Sequence, residues 1–265
     1  MSGFTDREYH KTAPVPATGR RSIYEFRRPE RDWIAHLFDQ YVPLPAHGRV
    51  LDAGCGPGPY VRAARARLGD DGVLVGLDLN HTRLKAIAPA DAAAVVGDVA
   101  ALPFPDCTFD VVLAMHMLYH VPNLPDGVRE LRRVLRPGGV LYALTNSEQA
   151  QSELAELYQR HGGGEQAMAD ARFSNESGAD VLRVAFADRE VQLIEHRDSE
   201  LVVTDAACII DEFERLRYAL EPGLQPGTTW EDLLAGVRQE ASETIARDGA
   251  FRISENHGLF TCRRN

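Results

Sequence analysis

Short apolar runs and stretches of helical spacing alternate through the first half of this chain. The runs are Arg49 to Cys55, Gly72 to Leu79, Ala93 to Val99, Phe109 to Met115 and Gly139 to Asn146. Each predicts a strand buried on both faces, because apolar residues continue along it instead of alternating with polar ones. The helical pattern is clearest from Asn123 to Leu135, where Val128, Leu131 and Leu135 recur at helix spacing before Arg-Pro-Gly-Gly stops them. Upstream, Trp33, Leu37 and Tyr41 share one face of a predicted helix that Pro43 and Pro45 end. Strand, helix, strand in this order predicts a parallel sheet in an α/β fold.

The second half reads differently. Ser177 to Asp188 predicts another core helix and Glu190 to Val203 one long strand. Two amphipathic helices follow: the first repeats Ile209, Phe213, Leu216 and Leu220, the second Leu234, Val237, Ala241 and Ile245, with Pro-Gly-Leu-Gln-Pro-Gly between them. Thr229 and Asp232 have capping-box spacing at the second start. A final strand is expected around Gly258 to Arg263.

At 265 residues and 44% hydrophobic, the chain matches one globular domain with an appended lobe. A net charge of −10 disfavours broad contact with a phosphate backbone, so nucleic acid is not the expected partner. Cys55, Cys107, Cys208 and Cys262 lack paired spacing and suit a reducing cytoplasm. The first twenty residues lack a signal-type apolar core, and no later run reaches membrane-spanning length, so no membrane association is expected.

The chemistry begins in Val-Leu-Asp-Ala-Gly-Cys-Gly-Pro-Gly-Pro-Tyr, Val50 to Tyr60. A glycine-rich turn from a parallel strand into a helix lets a ligand lie against bare backbone. The spacing of Gly54, Gly56 and Gly58 departs from the dinucleotide fingerprint, and no Walker-type Gly-Lys-Ser or Gly-Lys-Thr follows. Asp78 ends the second strand, where a carboxylate can accept hydrogen bonds from ribose hydroxyls, and Asp98 ends the third, within reach of an adenine amine. Three neighbouring strands thus carry functional groups at one edge.

At these residues the sequence resembles the class I S-adenosylmethionine-dependent methyltransferases, type 11, through Val50–Gly58, Val75–Asn80, Gly97–Val121 and Glu130–Asn146. The resemblance implies a Rossmann-like seven-stranded sheet, mostly parallel with an antiparallel last strand, helices on both faces, and a helical cap inserted between the last two strands. On that basis residues 1–47 cover the cofactor site, 48–203 with 250–265 form the core, and 204–249 form the cap over a small-molecule acceptor. The implied cofactor is S-adenosyl-L-methionine, with S-adenosyl-L-homocysteine as product. It further implies that Gly54, Cys55, Gly56 and Gly58 line the methionine portion, Asp78 and Leu79 the ribose, and Asp98 and Val99 the adenine. Ala114 and Met115 should flank the sulfonium, and Asp52 should order the loop or meet the ammonium.

A sulfonium methyl is already electrophilic, so the protein must align a nucleophile, exclude water and, where needed, take a proton. His116, Tyr119 and His120 follow the fourth strand, facing the methyl group in the resembled fold. His120 is the expected base, with Tyr24 as its partner by analogy to phosphoethanolamine methyltransferases and His116 as a second candidate. His116 and His120, four apart, would share a helix face, but Met117 replaces the glutamate of a zinc-binding HExxH and no third ligand is evident, so no metal is expected. His120 equally suits a pocket-capping role. Tyr119, Tyr218 and Trp230 are candidate acceptor contacts, with core packing the commoner use of such aromatics; Arg27, Arg28 and Arg31 read as a solvated helix face, with one of them able to reach the carboxylate of cofactor or substrate as the alternative. The function predicted is methyl transfer to oxygen, nitrogen or carbon of a small molecule. The alternatives are an RNA or base methyltransferase, a nicotinamide-dependent dehydrogenase, and a non-catalytic cofactor-binding module.

Overall fold

The computed structural model describes residues 22–164, 172–187 and 190–265. The part of the expected covering segment that precedes Ser22 therefore lies outside the described residues, as does the end of the helix expected up to Asp188.

The chain enters through a 3-10 turn, Ile23–Phe26, and a short strand β1 (Arg27–Arg28). Helix α1 (Trp33–Tyr41) then forms, its first turn capped by Asp32 Oδ1, which accepts from the Ala35 amide at 2.9 Å. The core follows as β2 (Arg49–Ala53), α2 (Pro59–Arg65), β3 (Val73–Asp78), α3 (His81–Leu84), β4 (Ala93–Val96), β5 (Phe109–Met115), α4 (Leu124–Val134) and β6 (Leu135–Asn146). Next come α5 (Ser152–Arg160), α6 (Gly178–Leu182), β7 (Val191–His196), β8 (Glu200–Val203), α7 (Ala206–Leu220), α8 (Trp230–Asp248), β9 (Phe251–Ser254) and β10 (His257–Arg263).

Seven strands form the main sheet in the order β4-β3-β2-β5-β6-β10-β7. Neighbours from β4 to β6 are parallel, while β10 runs antiparallel to both β6 and β7, as expected for the last strand. Successive residues alternate between two cores: Leu51, Val112 and Leu141 pack with α4 and α6, whereas Val50, Val111 and Leu113 pack with α1 and α2. Burial on both sides is why the central strands read as continuous apolar runs. The expectation fails at the sheet edge, where Ala93, Ala94 and Val96 of β4 are exposed because no strand of the described residues lies beyond them.

A third core forms a separate lobe. It joins Ile23 and Phe26 to Leu154, Leu157 and Tyr158 of α5, to α7 and α8, and to a small antiparallel sheet ordered β1-β8-β9. The single strand expected over Glu190 to Val203 is therefore two. Its polar Arg197-Asp198-Ser199 stretch bends the chain out of one sheet into the other, and Arg31 holds the bend through Asp198 at 2.8 Å. The helix expected from Ser177 is short, ending at Leu182. The Thr229–Asp232 capping box is present at the start of α8, with Thr229 Oγ1 accepting from the Asp232 amide at 3.1 Å.

Candidate active site

The parallel strands deliver their carboxyl ends to one edge, and the chain opens a cleft there of about 720 Å³ including its mouth. Gly54, Asp78, Leu79, Asp98, Val99, His116 and His120 line it, so the structure brings together residues taken from three separate motifs. Leu77, Arg83, Gly97, Met117, Val121 and Pro122 join them without having been anticipated.

The turn after β2 is possible only with glycine. Gly54 has φ +71°, and a Cβ there would meet the Met117 side chain at 2.8 Å. Gly56, at φ +53°, has nothing within 4 Å of where a Cβ would stand, leaving bare backbone beside open space. Asp78 holds this loop in place. One carboxylate oxygen accepts from the Gly56 amide at 2.8 Å and the other from the Asn80 amide at 2.7 Å, which leaves each oxygen a lone pair. Asp98 Oδ1 accepts from the Ala100 amide at 3.0 Å.

Asp52 lies behind the loop at 1% exposure, and neither carboxylate oxygen has a hydrogen-bond partner among the described residues. Burial, reinforced by the nearby Asp78 charge, pushes its carboxyl up to about 8. A buried carboxylate with two orphaned oxygens is a standing demand for a donor or a positive charge. Cys55 turns away from the cleft: its side chain is buried in the sheet core, and burial pushes its thiol up, so only its backbone belongs to the loop.

Past β5 the expectation shifts by one residue. Ala114 and Met115, predicted to flank the sulfonium, are buried in the two opposite cores by strand alternation. The residues that reach the cleft are His116 and Met117, because the chain leaves the sheet at His116 with φ +53°. That is a left-handed conformation unusual for histidine and common at functional sites. The segment Leu118–His120 is a 3-10 turn, so His116 and His120 do not share an α-helical face. Burial lowers His116 to about 3, with His257 and Arg27 adding to the effect, and keeps its imidazole neutral. The Tyr119 and His120 rings meet edge to face at 4.4 Å.

Tyr24, expected to partner His120, has its hydroxyl accepting from Gln151 Nε2 at 3.0 Å. Burial, and next the Glu212 charge, raise its pKa, so it keeps its proton. Tyr218 lies on α7 and is exposed. Trp230 is 2% exposed in the lobe's core, with Nε1 donating to Glu214 at 3.3 Å, and it packs there instead of lining a pocket.

Sequence reasoning missed a polar cluster behind His116. Arg27 is no solvated residue: its Nε and Nη2 donate to the two oxygens of Glu255, each at 2.6 Å. Burial alone would raise Glu255, but the Arg27 and His257 hydrogen bonds outweigh it and hold the carboxyl at about 2. His257 bonds Asn146 through Nδ1 at 2.9 Å and lies 5.5 Å from the His116 ring. The available signal was the polar stretch Ser254 to His257 between the apolar positions Phe251 and Ile253 on one side and Leu259 and Phe260 on the other.

The family profile described as a methyltransferase domain matches residues 51–143. The 27-O-demethylrifamycin SV methyltransferase of Amycolatopsis mediterranei is 38% identical over 109 residues, covering 38% of this chain and 39% of that relative. The ubiquinone/menaquinone biosynthesis C-methyltransferase UbiE of Ectopseudomonas mendocina is 31% identical over 195 residues, covering 67% of this chain and 73% of the relative. The chain belongs to the class I S-adenosylmethionine-dependent methyltransferases. It shares the fold of the YcgJ protein from Bacillus subtilis, whose crystal structure superimposes with a TM-score of 0.58 at 15% identity, over 88% of this chain and 98% of that one. As a methyltransferase-family chain it has its matched motifs on β2 to β6, and the lobe built from α5, α7, α8 and the small sheet lies outside the matched stretch.

Proposed function

We propose that this protein transfers a methyl group from S-adenosylmethionine to a small-molecule acceptor held between the strand edge and the helices at 204–249. The residues present fit that cofactor. The open cradle beside Gly56 admits a ligand against the backbone, and the two orphaned Asp52 oxygens suit a cationic one. The Asp52 observation carries the reading, because nothing else described satisfies a carboxylate buried so completely.

When bound, S-adenosylmethionine supplies an electrophilic methyl group. Asp78 would accept from the ribose hydroxyls with its remaining lone pairs, Asp98 from the adenine amine with Val99 beside it, and Leu79 would cover the sugar. Asp52 would stabilise the positive charge of the methionine end through the loop of Gly54, Cys55, Gly56 and Gly58. His116 and His120 face the cleft; His120 would take the acceptor's proton, while His116, which burial keeps neutral, would hold the acceptor by a hydrogen bond. Tyr24, which keeps its own proton, would donate to the acceptor and hold it for attack. Tyr119 and Tyr218 would close the acceptor from the side, shedding water.

Isothermal titration with S-adenosylhomocysteine, followed by an acceptor screen with labelled S-adenosylmethionine, tests the reading. Micromolar binding of the nucleoside and label transfer to a small molecule are expected. Preferred binding of a nicotinamide dinucleotide, or transfer to RNA alone, would overturn it.

A further inference from the structure

Arg83 lines the cleft although no motif led to it. It belongs to α3, a helix of four residues whose start is tied to the strand edge. The Asp78 carboxylate accepts from the Asn80 amide at 2.7 Å, and Asn80 Oδ1 in turn accepts from the amides of Thr82 at 2.9 Å and Arg83 at 3.2 Å. Asn80 is itself 1% exposed, and the next residue along the helix, Leu84, is buried in the core shared with α1 and α2. The backbone that carries Arg83 is therefore fixed with respect to Asp78 on one side and to the core on the other.

The protein gives this side chain nothing to bind. Asp78 and Asp98 line the same cleft, yet no ion pair or hydrogen bond joins the Arg83 guanidinium to either of them or to any other described residue. Asp78 holds the Gly56 and Asn80 amides and Asp98 the Ala100 amide. A half-buried guanidinium is thus left with its plane and its N–H groups open to a ligand, in a cleft whose lining also includes the apolar side chains of Leu79 and Val99. Such a group is planar, weakly hydrated and stacks on the faces of electron-rich rings. Of the parts of S-adenosylmethionine, the sulfonium and the ammonium would be repelled by it, whereas the adenine offers a flat π face.

We propose that Arg83 is a further cofactor-binding residue, which stacks its guanidinium on the adenine while Asp98 meets the amine. The cation would then grip the nucleoside by its ring and leave the charge of the methionine end to Asp52. The inference rests on the methyl-transfer reading, which supplies the adenine.

The test uses the full chain with S-adenosylhomocysteine and with adenosine, which share the adenine but not the carboxylate, each titrated by protein-observed NMR. Arg83→Ala should weaken both by the same factor, roughly fivefold. Arg83→Lys, which restores the charge without the plane, should recover less than half of that loss. In the wild type the Arg83 side-chain signals should move upfield as adenosine is added, the ring-current signature of protons over an aromatic face. Unchanged affinities in Arg83→Ala, full recovery in Arg83→Lys, or Arg83 signals that stay in place would overturn the proposal. So would a loss for S-adenosylhomocysteine alone, which would put the guanidinium on the methionine carboxylate. If S-adenosylhomocysteine fails to bind the wild type, the methyl-transfer reading falls instead, and adenosine titration of the wild type and Arg83→Ala still decides whether Arg83 holds a purine.

Discussion

Replacing Asp52 with asparagine should stabilise the ligand-free protein at alkaline pH while weakening its grip on the cofactor. The ordinary carboxyl value is 3.8, and burial with the Asp78 charge raises it to about 8 in the fold. Between those values the folded chain holds a proton that the unfolded chain has released, so stability falls as pH rises from about 4 to about 8 and is flat above. At about 1.36 kcal/mol per pH unit the penalty approaches about 6 kcal/mol at most. Asparagine removes it but leaves a buried amide without partners, which costs about 1–3 kcal/mol. The net gain at pH 8.5 is about 3 kcal/mol, a rise in Tm of roughly 6–12 °C for a chain of this size. At pH 5 the penalty has shrunk to about 1.6 kcal/mol, no more than the asparagine cost, and the gain should vanish or reverse. Calorimetry of both proteins at the two pH values measures the difference, and titration with S-adenosylhomocysteine measures the lost affinity. A Tm difference independent of pH, or unchanged nucleoside affinity, would refute the reasoning.

Asp78→Ala should weaken S-adenosylhomocysteine binding by roughly 10- to 150-fold, the equivalent of about 1.5–3 kcal/mol from lost charge-assisted hydrogen bonds, read by calorimetric titration. Arg27→Met strands the buried Glu255 carboxylate and should cost about 3–5 kcal/mol in urea unfolding at pH 7, much of it recovered by adding Glu255→Gln. Because Glu255 is held at about 2 in the fold, the wild type should lose this stabilisation as pH falls from about 4.5 toward 2, and the double variant should lack that component of acid unfolding. Tyr158→Phe deletes the hydroxyl that donates to the Leu220 carbonyl at 2.7 Å; a loss of about 1–3 kcal/mol is expected by denaturant titration, with nucleoside affinity unchanged.

The sheet was legible because its central strands are buried on both faces, and its cleft because Gly54, Asp78 and Asp98 stand at strand ends that periodicity alone locates. Strand alternation also explains why Ala114 and Met115 are buried in opposite cores: the apolar run Val111–Met115 does not reveal where the chain leaves the sheet, and the left-handed turn at His116 decides that. The division of Glu190 to Val203 was hidden because both halves have strand composition and only three polar residues separate them. Helix α5 was not anticipated, since its buried face, Leu154, Leu157 and Tyr158, meets partners distant in sequence. The Arg27–Glu255–His257 cluster was illegible for the same reason: 228 positions separate Arg27 from Glu255, and a charged residue in isolation reads as solvated.

The small sheet bears on what counts as an exchangeable module in this protein. The helices at 204–249 look like a detachable insert, yet the strands on which they stand, β8 and β9, continue within three residues into β7 and β10 of the main sheet. Excising those helices would strip the cover from Leu201, Val203, Phe251 and Ile253 and leave two apolar strands open to aggregation. A graft meant to change acceptor preference should therefore carry residues 200–254 together with the facing Ile23–Arg28 and Ser152–Arg160 segments, taking its seams at the polar bends and not at the helix ends.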